Sequence, residues 1–271
     1  MGNHNVYVVT GALGVLGRSI AQKLALEGNT VFGIDRPREL ESDFDQTFTY
    51  SNVENWKESF SSFMEMKGFS TLDGLVLVHG EHEVGTLSEY NSKSGSNVMQ
   101  SNFLSSIEYF EFLVNYLKPG SQIFLMGSIV SLYPLPYSPV YSASKSAINS
   151  YFVSLQRFLR QRNVYLKILI VGNINTGFNE KGLGETDIFN QISKKDIARV
   201  KNYIHSSRGI SPDRIVNKSV ALLKSPRSRV ITYGRNAKVL SILLRIFGFN
   251  FVGSILDFVF FKRYLFRNWI D

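Results

Sequence analysis

The feature that most constrains the fold is a β-branched run that leads directly into a glycine-rich turn and then a helical pattern. Residues 5–10 are Asn-Val-Tyr-Val-Val-Thr, which is typical of a short buried parallel strand. Glycines follow at positions 11, 14 and 17, and a helical pattern extends over residues 18–27. This order favours a dinucleotide-binding α/β fold, although an ordinary glycine-bearing turn would produce the same pattern.

Each glycine of this turn has a physical use in a nucleotide site. Gly11 would permit the tight turn, Gly14 would let the backbone approach a pyrophosphate, and Gly17 would let the helix pack closely on the strand. Backbone N–H groups at the start of the helix would hold the phosphates. We therefore predict cofactor contacts from Gly11, Gly14, Val15, Leu16 and Gly17.

The second predicted strand, residues 30–35, ends in an acid that bears on the choice of cofactor. Asp35 follows Gly17 by 18 residues, near the offset at which a carboxylate accepts the hydroxyls of an adenosine ribose. It would repel a 2′-phosphate and therefore favours NAD, whereas Arg36 beside it could hold that phosphate, which leaves NADP as the alternative. Asp35 could instead simply cap the segment that follows it.

Strand and helix patterns alternate along most of the chain. Further strands are predicted over residues 46–50, 72–79, 122–126, 164–171 and 230–233, and helices over residues 53–66, 96–117, 141–161 and from Ser211 onward. This alternation predicts one α/β domain over residues 1–235, with a Rossmann-like doubly wound parallel sheet of about seven strands and helices on both faces. The weakly patterned residues 178–209 are interpreted as a lid or binding loop.

Candidate binding residues recur at the carboxyl ends of the predicted strands, where ligands bind in such sheets. Beyond the glycine turn and Asp35, they are Asn52, His79, Gly80, Ser128, Gly172, Ile174 and Thr176. We interpret Asn52 as an adenine contact and His79 as a wall residue near the cofactor. His79 and His82 have the spacing of a metal-binding pair, but they lie on a strand end and a loop without a third ligand nearby, so we predict no metal site.

Tyr141 and Lys145 form the candidate catalytic pair. Residues four apart lie on one face of a helix, so the phenol and the ammonium would share a side. Poising the phenol near neutral pH needs about 4 kcal/mol. One cation at ~4 Å supplies about 4 kcal/mol at an effective dielectric constant of ~20. We therefore expect Lys145, together with an oxidised nicotinamide, to lower the pKa of Tyr141.

Together these motifs resemble the short-chain dehydrogenase/reductase family over about residues 5–235. Tyr141 and Lys145 match its YxxxK motif, Ser128 matches its catalytic serine by lying 13 residues before Tyr141, and Asn102 matches the asparagine of its fourth helix. The glycine turn has the spacing TGxxGxxG in place of TGxxxGxG. Residues 77–80, Leu-Val-His-Gly, stand where the family has Asn-Asn-Ala-Gly.

The resemblance implies a nicotinamide dinucleotide cofactor and a division of roles. Tyr141 would be the general acid/base, Ser128 would hold the substrate oxygen, and Lys145 would also hold the ribose. Asn102 would anchor a water-linked proton relay; taken alone, it would be a solvent-facing residue of a helix. The nicotinamide side would be bound by Gly172, Ile174 and Thr176. The family also implies a homodimer or homotetramer formed through helices 96–117 and 141–161.

Composition limits the partners and the compartment. The chain has no cysteine, which excludes disulfides and thiolate metal sites and suits a reducing compartment. The net charge of +8 favours anionic partners such as cofactor phosphates or an acidic membrane surface. No block of basic residues points to nucleic acid, so none is predicted. A strand that begins near residue 5 leaves no room for a signal peptide, so we expect a cytoplasmic protein.

Residues 236–271 form a predicted helical extension of different character. The segment 239–261 is largely apolar, but Arg245, Asn250 and Asp257 interrupt it and make it a poor membrane span. Gly248, between two phenylalanines, is expected to split it into two helical pieces, and the last ten residues mix cations with aromatics. Three roles remain open: peripheral membrane attachment, an oligomer interface, or a flap over an apolar substrate.

Two functions follow from these patterns. The first is an NAD(P)-dependent oxidoreductase that interconverts a secondary alcohol and a ketone, with a hydrophobic or lipid-linked compound as the small-molecule substrate. The second is a nucleotide-binding regulatory or scaffold protein of the same fold, which the atypical glycine spacing and the altered motif after strand four keep open.

Overall fold

A computed structural model describes residues 4–36, 49–83, 92–135, 138–178 and 209–261. The strands are β1 Val6–Thr10, β2 Thr30–Asp35, β3 Thr49–Asn52, β4 Leu72–Leu77, β5 Leu117–Ser128, β6 Tyr165–Val171 and β7 Arg229–Tyr233. The α-helices are α1 Val15–Leu26, α2 Trp56–Lys67, α3 Ser92–Met99, α4 Ser105–Leu113, α5 Pro139–Ser154, α6 Gln156–Gln161, α7 Pro212–Leu223 and α8 Arg235–Phe261.

The strands form one parallel sheet in the order β3-β2-β1-β4-β5-β6-β7. The chain winds outward in one direction from β1 to β3 and then in the other from β4 to β7, so the order reverses between β1 and β4. In a doubly wound sheet this reversal leaves a crevice at the carboxyl ends of the strands. The predicted Rossmann-like architecture of about seven strands is confirmed.

Alternating strand side chains build one apolar layer on each face of the sheet. Val8 of β1 belongs to the layer with Phe60 of α2 and Phe152 of α5. Its neighbour Val9 belongs to the opposite layer with Ile20 of α1. The inner strands β1, β2, β4 and β6 are buried on both faces, as expected for a parallel sheet covered by helices, and this frame positions the crevice.

The single helix predicted over residues 96–117 is wrong in its bounds and its regularity. Helix α3 begins at Ser92, a π-helical turn over Gln100–Leu104 separates it from α4, and a 3₁₀ turn ends the segment at Tyr116. Strand β5 then begins at Leu117, which pairs with Leu72 of β4, instead of at residue 122 as predicted. Gly120 has a φ of 95°, which lets the chain bend here without leaving the sheet.

Two other predicted segments fall partly or wholly outside the described part of the chain. Of the strand predicted over residues 46–50, only residues 49 and 50 are described, and both belong to β3. The lid predicted over residues 178–209 lies outside it, apart from its first and last residues.

Helix α8 follows β7 directly and confirms the predicted C-terminal helical appendage. Gly248 is non-helical, with φ 75° and ψ 176°, and breaks the helix into two pieces as expected. By length and composition alone, Arg235–Leu256 could cross a membrane, with a mean hydropathy of 2.0 and 11% of the segment buried. Arg245 and Asn250 therefore do not lower the mean hydropathy of this segment below the value expected of a membrane-spanning helix. The division at residue 235 remains a prediction.

Candidate active site

A cavity of about 970 Å³ occupies the crevice where the strand order reverses. Most of the predicted site residues line it: Gly11, Gly14, Val15, Leu16, Gly17, Asp35, Arg36, His79, Gly80, Ser128, Tyr141, Lys145, Gly172, Ile174 and Thr176. Asn52 and Asn102 do not. The Asn52 side chain accepts a hydrogen bond from the Glu54 N–H at 3.3 Å, and its neighbour Val53 lines the cavity instead.

Close backbone packing explains two glycines of the turn. Gly11 has a φ of 70°, and a Cβ there would lie 2.8 Å from the Cα of His79. A Cβ on Gly17 would collide with the carbonyl oxygen of Gly11. Helix α1 begins at Val15 with no side chain capping its first turn. Its leading N–H groups are therefore available to an anion, as a pyrophosphate site requires.

Asp35 ends β2 and fastens the glycine turn. One carboxylate oxygen accepts a hydrogen bond from the Leu13 N–H at 2.8 Å, and the other accepts from the Arg36 N–H at 2.8 Å. The half-exposed Arg36 side chain forms an ion pair with Glu81 on the loop after β4. The residue predicted to admit a 2′-phosphate is thus engaged with a carboxylate of the protein itself.

His79 is a buried link between strands and a helix. Its Nδ1 lies 2.6 Å from the Thr10 hydroxyl of β1, and its Nε2 lies 3.1 Å from the Ser106 hydroxyl of α4. Ser106 also donates to the carbonyl of Asn102 at 3.1 Å, and Thr10 donates to the carbonyl of Val76 at 3.4 Å, so each hydroxyl joins the ring to a backbone carbonyl. Burial, with Lys145 nearby, lowers the pKa of His79 to about 3, so the ring is neutral. The histidine therefore joins the ends of β1 and β4 to α4.

Ser128, Tyr141 and Lys145 come together at the carboxyl end of β5. Ser128 ends that strand, and the first turns of α5 carry Tyr141 and Lys145, both nearly fully buried. The Tyr141 hydroxyl hydrogen-bonds the Ser128 side chain. The Lys145 ammonium lies 5.9 Å from the centre of the Tyr141 ring.

Burial, more than charge, sets the protonation of this cluster. It raises the pKa of Tyr141 to about 12, against a smaller lowering by the Ser128 hydrogen bond. It also lowers the pKa of Lys145 to about 8. The expectation that Lys145 acidifies the phenol is therefore not met by the protein's own residues. The reason is that the cost of desolvating either charged form exceeds the attraction between them.

Asn102 lies in the π-helical turn and is 2% exposed, so it does not face solvent. Its Oδ1 accepts from the Glu81 N–H at 2.6 Å, and its Nδ2 donates to the Glu81 carbonyl and to the Ser144 hydroxyl, both at 2.9 Å. The amide thereby ties the loop after β4 to α5. It stands behind the cavity wall, next to Gly80, where a Cβ would come within 3.0 Å of its oxygen.

His82 was not predicted as a site residue. Its ring centre lies 4.5 Å from that of Tyr141, its Nε2 lies 3.0 Å from the Ser138 hydroxyl, and Phe178 stacks on it at 5.9 Å. Burial lowers the pKa of His82 to about 4. In the sequence, the only indication that His82 belongs to the site is its position three residues after His79, which ends a predicted strand. Within the described ranges, no group of three acidic or histidine side chains could hold a metal ion.

The model of the short chain dehydrogenase family matches residues 5–185, about two thirds of the chain. The protein therefore belongs to the short-chain dehydrogenase family. Members of this family are oxidoreductases that act on CH–OH groups and use NAD or NADP, so the predicted class of cofactor is confirmed at the level of the family.

Individual relatives are distant. Human 15-hydroxyprostaglandin dehydrogenase [NAD(+)] is 27% identical over 82% of this chain and 87% of its own length. The NADPH-dependent 1-acyldihydroxyacetone phosphate reductase of Saccharomyces cerevisiae is 27% identical over 68% of this chain and 66% of its own. Human 17-beta-hydroxysteroid dehydrogenase type 1 is 25% identical over 58% of this chain, and the match spans half of that protein.

Solved structures share the fold. A short-chain dehydrogenase from Streptomyces avermitilis superposes with a TM-score of 0.74 at 16% identity, covering 95% of this chain and 96% of that one. A short chain dehydrogenase from Burkholderia cenocepacia in complex with NADP gives 0.70 at 17% identity, covering 96% and 98%. These likenesses extend over nearly the whole chain, including most of the C-terminal extension.

Proposed function

We propose that the protein is an NAD(P)-dependent oxidoreductase that interconverts a secondary alcohol and a ketone, with Tyr141 as the general acid/base. The observation that carries this proposal is the buried cluster of Ser128, Tyr141 and Lys145 on the wall of the cavity that also contains the glycine turn. One end of the cavity suits phosphates, and the other holds a proton donor. The activity of the family as a whole supports the same reaction class.

The cavity's own residues fit a nicotinamide dinucleotide. The uncapped start of α1 would hold the pyrophosphate, Asp35 the adenosine ribose, Lys145 the nicotinamide ribose and Thr176 the nicotinamide amide. The bound cofactor supplies the hydride donor or acceptor. Gly11 and Gly14 keep this part of the wall free of side chains, so the backbone can approach the phosphates closely.

In ketone reduction, the Tyr141 hydroxyl donates its proton to the substrate oxygen while the Ser128 hydroxyl donates a hydrogen bond to the same atom. Because burial keeps the pKa of Tyr141 at about 12, the phenol is protonated and ready to act as the acid. In alcohol oxidation the phenol must first lose this proton. The positive charges of Lys145 and of the oxidised nicotinamide ring would then stabilise the phenolate.

We propose NAD as the preferred cofactor and NADP as the alternative. The Asp35 carboxylate faces the cavity at the end of β2, where it would accept ribose hydroxyls and repel a 2′-phosphate. Arg36 could hold that phosphate only by leaving Glu81. Among the relatives, the human prostaglandin enzyme is named for NAD(+) and the yeast reductase for NADPH, so both choices occur among similar chains.

A hydrophobic or lipid-linked substrate fits the cavity beside Tyr141. Val98 and Val130 pack against the Tyr141 ring, with Leu135 and Phe178 next to them, and all four line the cavity. The names of several relatives refer to a hydroxysteroid, a hydroxyprostaglandin, an acyl compound and a ketodihydrosphingosine. An apolar wall next to the proton donor would bind the body of such a molecule and leave its oxygen at Ser128 and Tyr141.

We propose a cytoplasmic homodimer or homotetramer, with peripheral membrane contact through α8. Exposed apolar side chains on the α5 side of the sheet support the assembly, since Leu104 of the π-helical turn, Val153 of α5 and Phe158 of α6 are all exposed. Burying them between subunits would remove them from water.

Replacing Tyr141 with Phe tests the proposed chemistry. The variant removes the hydroxyl and keeps the ring that packs on His82 and Phe178. Turnover of a panel of secondary alcohols and ketones should fall by about 10²- to 10⁴-fold, while NADH affinity, measured by fluorescence titration, stays within about twofold because the ring that lines the cavity is retained. Tyr151→Phe, on the same helix but outside the cavity wall, is the matched control and should keep full turnover. Undiminished turnover in Tyr141→Phe would contradict the proposal.

A nucleotide-binding regulatory or scaffold role is the second candidate. The observation that favours it is the buried phenol of Tyr141, because burial raises its pKa and the Ser128 hydrogen bond offsets only part of that rise. Under this alternative, NADH binds with a measurable affinity but no carbonyl compound of a broad panel oxidises it. Spectrophotometric detection of hydride transfer to any member of the panel excludes this role as the sole function.

A further inference from the structure

Helix α8 leaves most of its apolar surface uncovered. Its exposed large apolar side chains are Val239, Ile242, Ile246, Phe247, Phe249, Phe251 and Phe258, with Ile246 at 66% exposure. A monomeric protein rarely presents so many apolar groups on one continuous element, and such patches usually mark a surface that binds a partner or a membrane. The contacts of α8 with the rest of the protein and its charge indicate which partner this surface binds.

The helix lies along the body of the protein instead of projecting from it. Ala237, near its start, and Val252, beyond the break at Gly248, are both fully buried. The Phe249 ring packs 4.5 Å from the ring of Tyr133, between β5 and α5. A Cβ on Gly253 would lie 2.5 Å from the Tyr133 hydroxyl, so the second piece packs closely against this side chain. A helix held on both sides of its break cannot cross a bilayer in this arrangement.

The positive charge of the C-terminal segment distinguishes between two surfaces that could cover the helix, a second copy of this chain and an anionic surface. Residues 235–271 contain six basic residues, Arg235, Lys238, Arg245, Lys262, Arg263 and Arg267, and two acidic ones, Asp257 and Asp271. This short segment therefore carries +4 of the chain's net charge of +8. In a two-fold dimer built on this surface, the exposed cations of α8, Arg235, Lys238 and Arg245, would be brought near their copies in the partner, at a cost in repulsion. An anionic surface would instead attract them.

We propose that α8 docks flat onto the anionic surface of a lipid bilayer. Its exposed isoleucines and its phenylalanines other than Phe249 enter the acyl boundary, and the exposed cations Arg235, Lys238 and Arg245 pair with lipid phosphates. Apolar side chains together with basic groups on one helix are the combination that binds such interfaces. The docked helix stays in place on the protein because Ala237 and Val252 remain buried and Phe249 remains packed on Tyr133.

Docking would also orient the cavity. Tyr133 belongs to the segment that connects Ser128 to Tyr141, and Leu135 of the same segment lines the cavity. The membrane would therefore lie next to the apolar side of the proposed substrate site, and the substrate would be an alcohol or ketone dissolved in the lipid phase. This second step rests on the proposed function, whereas docking itself does not.

Co-sedimentation with vesicles tests the docking. The full-length protein should bind vesicles of phosphatidylcholine with 30% phosphatidylglycerol, more weakly at high salt, and should bind pure phosphatidylcholine vesicles less. The double variant Ile242→Glu/Ile246→Glu should lower the partition coefficient by about tenfold or more, because it removes two apolar anchors and adds repulsion. Leu26→Glu on α1 is the matched control, since Leu26 is 80% exposed and lies away from α8; it should bind as the wild type does.

Equal partitioning of the wild type and the double variant would overturn docking, as would equal binding to the two kinds of vesicle. If gel filtration shows that the double variant dissociates a dimer while the wild type ignores vesicles, the surface belongs to a second copy and the proposal is wrong. Tyr141→Phe should bind vesicles like the wild type. Loss of turnover in Tyr141→Phe with normal vesicle binding, and loss of vesicle binding with normal turnover in the double variant, separate the two proposals.

Discussion

At the scale of single residues, Glu81 on the loop after β4 determines which charged groups would surround the adenosine end of a bound cofactor. The Glu81 carboxylate holds Arg36, and the Asn102 amide holds the main chain of Glu81 through both its N–H and its carbonyl. A buried amide thus fixes the main chain of Glu81, and the Glu81 carboxylate engages Arg36, a cation that could hold a 2′-phosphate. Under the proposed function, Asp35 and this arrangement together would favour NAD.

Glu81→Gln should therefore shift the choice of cofactor. Removing the carboxylate charge frees Arg36, so the dissociation constant for NADPH should fall by about five- to tenfold, since a charge-assisted contact contributes about 1–1.5 kcal/mol. The constant for NADH should stay within about twofold. Fluorescence titration of both cofactors measures the two constants. Glu27→Gln, whose carboxylate pairs with Lys224 on the opposite side of α1, is the control and should change neither. An unchanged ratio in Glu81→Gln would show that Arg36 does not reach the phosphate.

At the scale of the elements, His79 takes on a joining role in place of the Asn-Asn-Ala-Gly motif. It bonds the hydroxyls of Thr10 and Ser106, and its ring packs edge-on against Tyr109 at 5.3 Å. The close contact between Gly11 and the His79 backbone brings the same two strand ends together. One residue therefore couples the glycine turn to α4.

His79→Ala should destabilise the fold by about 2–4 kcal/mol, because it removes one hydrogen-bond partner from each of two buried hydroxyls and opens a cavity. Chemical denaturation followed by circular dichroism gives the free energy of unfolding. His82→Ala is the matched control, since its Nδ1 has no hydrogen-bond partner among the described residues, and it should cost less than half as much. Equal losses in the two variants would mean that the link through His79 contributes little.

The elements also show what could be read from the sequence. The glycine turn, Asp35 and the Tyr141–Lys145 spacing were predictable because each depends on neighbours within a few residues. The π-helical turn was not, because it is held by Asn102 bonds to a loop and a helix that lie far away in the chain. The early start of β5 depends on the pairing of Leu117 with Leu72, which is equally non-local.

At the scale of the whole molecule, the sheet contains a buried lysine, Lys167, whose Nζ lies 5.3 Å from the centre of the Tyr165 ring. Lys167 of β6 is fully buried, and in the described part of the chain its Nζ finds no hydrogen-bond partner. Burial lowers its pKa from 10.5 to about 7. Between about pH 7 and pH 10.5, the unfolded chain therefore binds a proton that the folded protein binds less well. The contribution of Lys167 makes the free energy of unfolding rise with pH across this window.

Lys167→Met should remove this dependence and stabilise the protein most at pH 7 and below, where the penalty is complete. We expect the melting temperature at pH 7 to rise by several degrees, and the gain to shrink as the pH approaches 10.5. Differential scanning calorimetry from pH 6 to pH 10 measures both effects. Lys224→Met, which replaces an exposed lysine, should leave the slope unchanged. A gain that does not vary with pH would point to better packing instead of a relieved charge.

The uncovered surface of α8 has a practical consequence for anyone who purifies this protein. Detergent micelles have an apolar interior and a polar surface, as a bilayer does, so the exposed apolar side chains of α8 should bind them. Tyr133 connects the helix to the segment between Ser128 and Tyr141. Extraction in detergent and extraction without it should therefore yield preparations that differ in solubility.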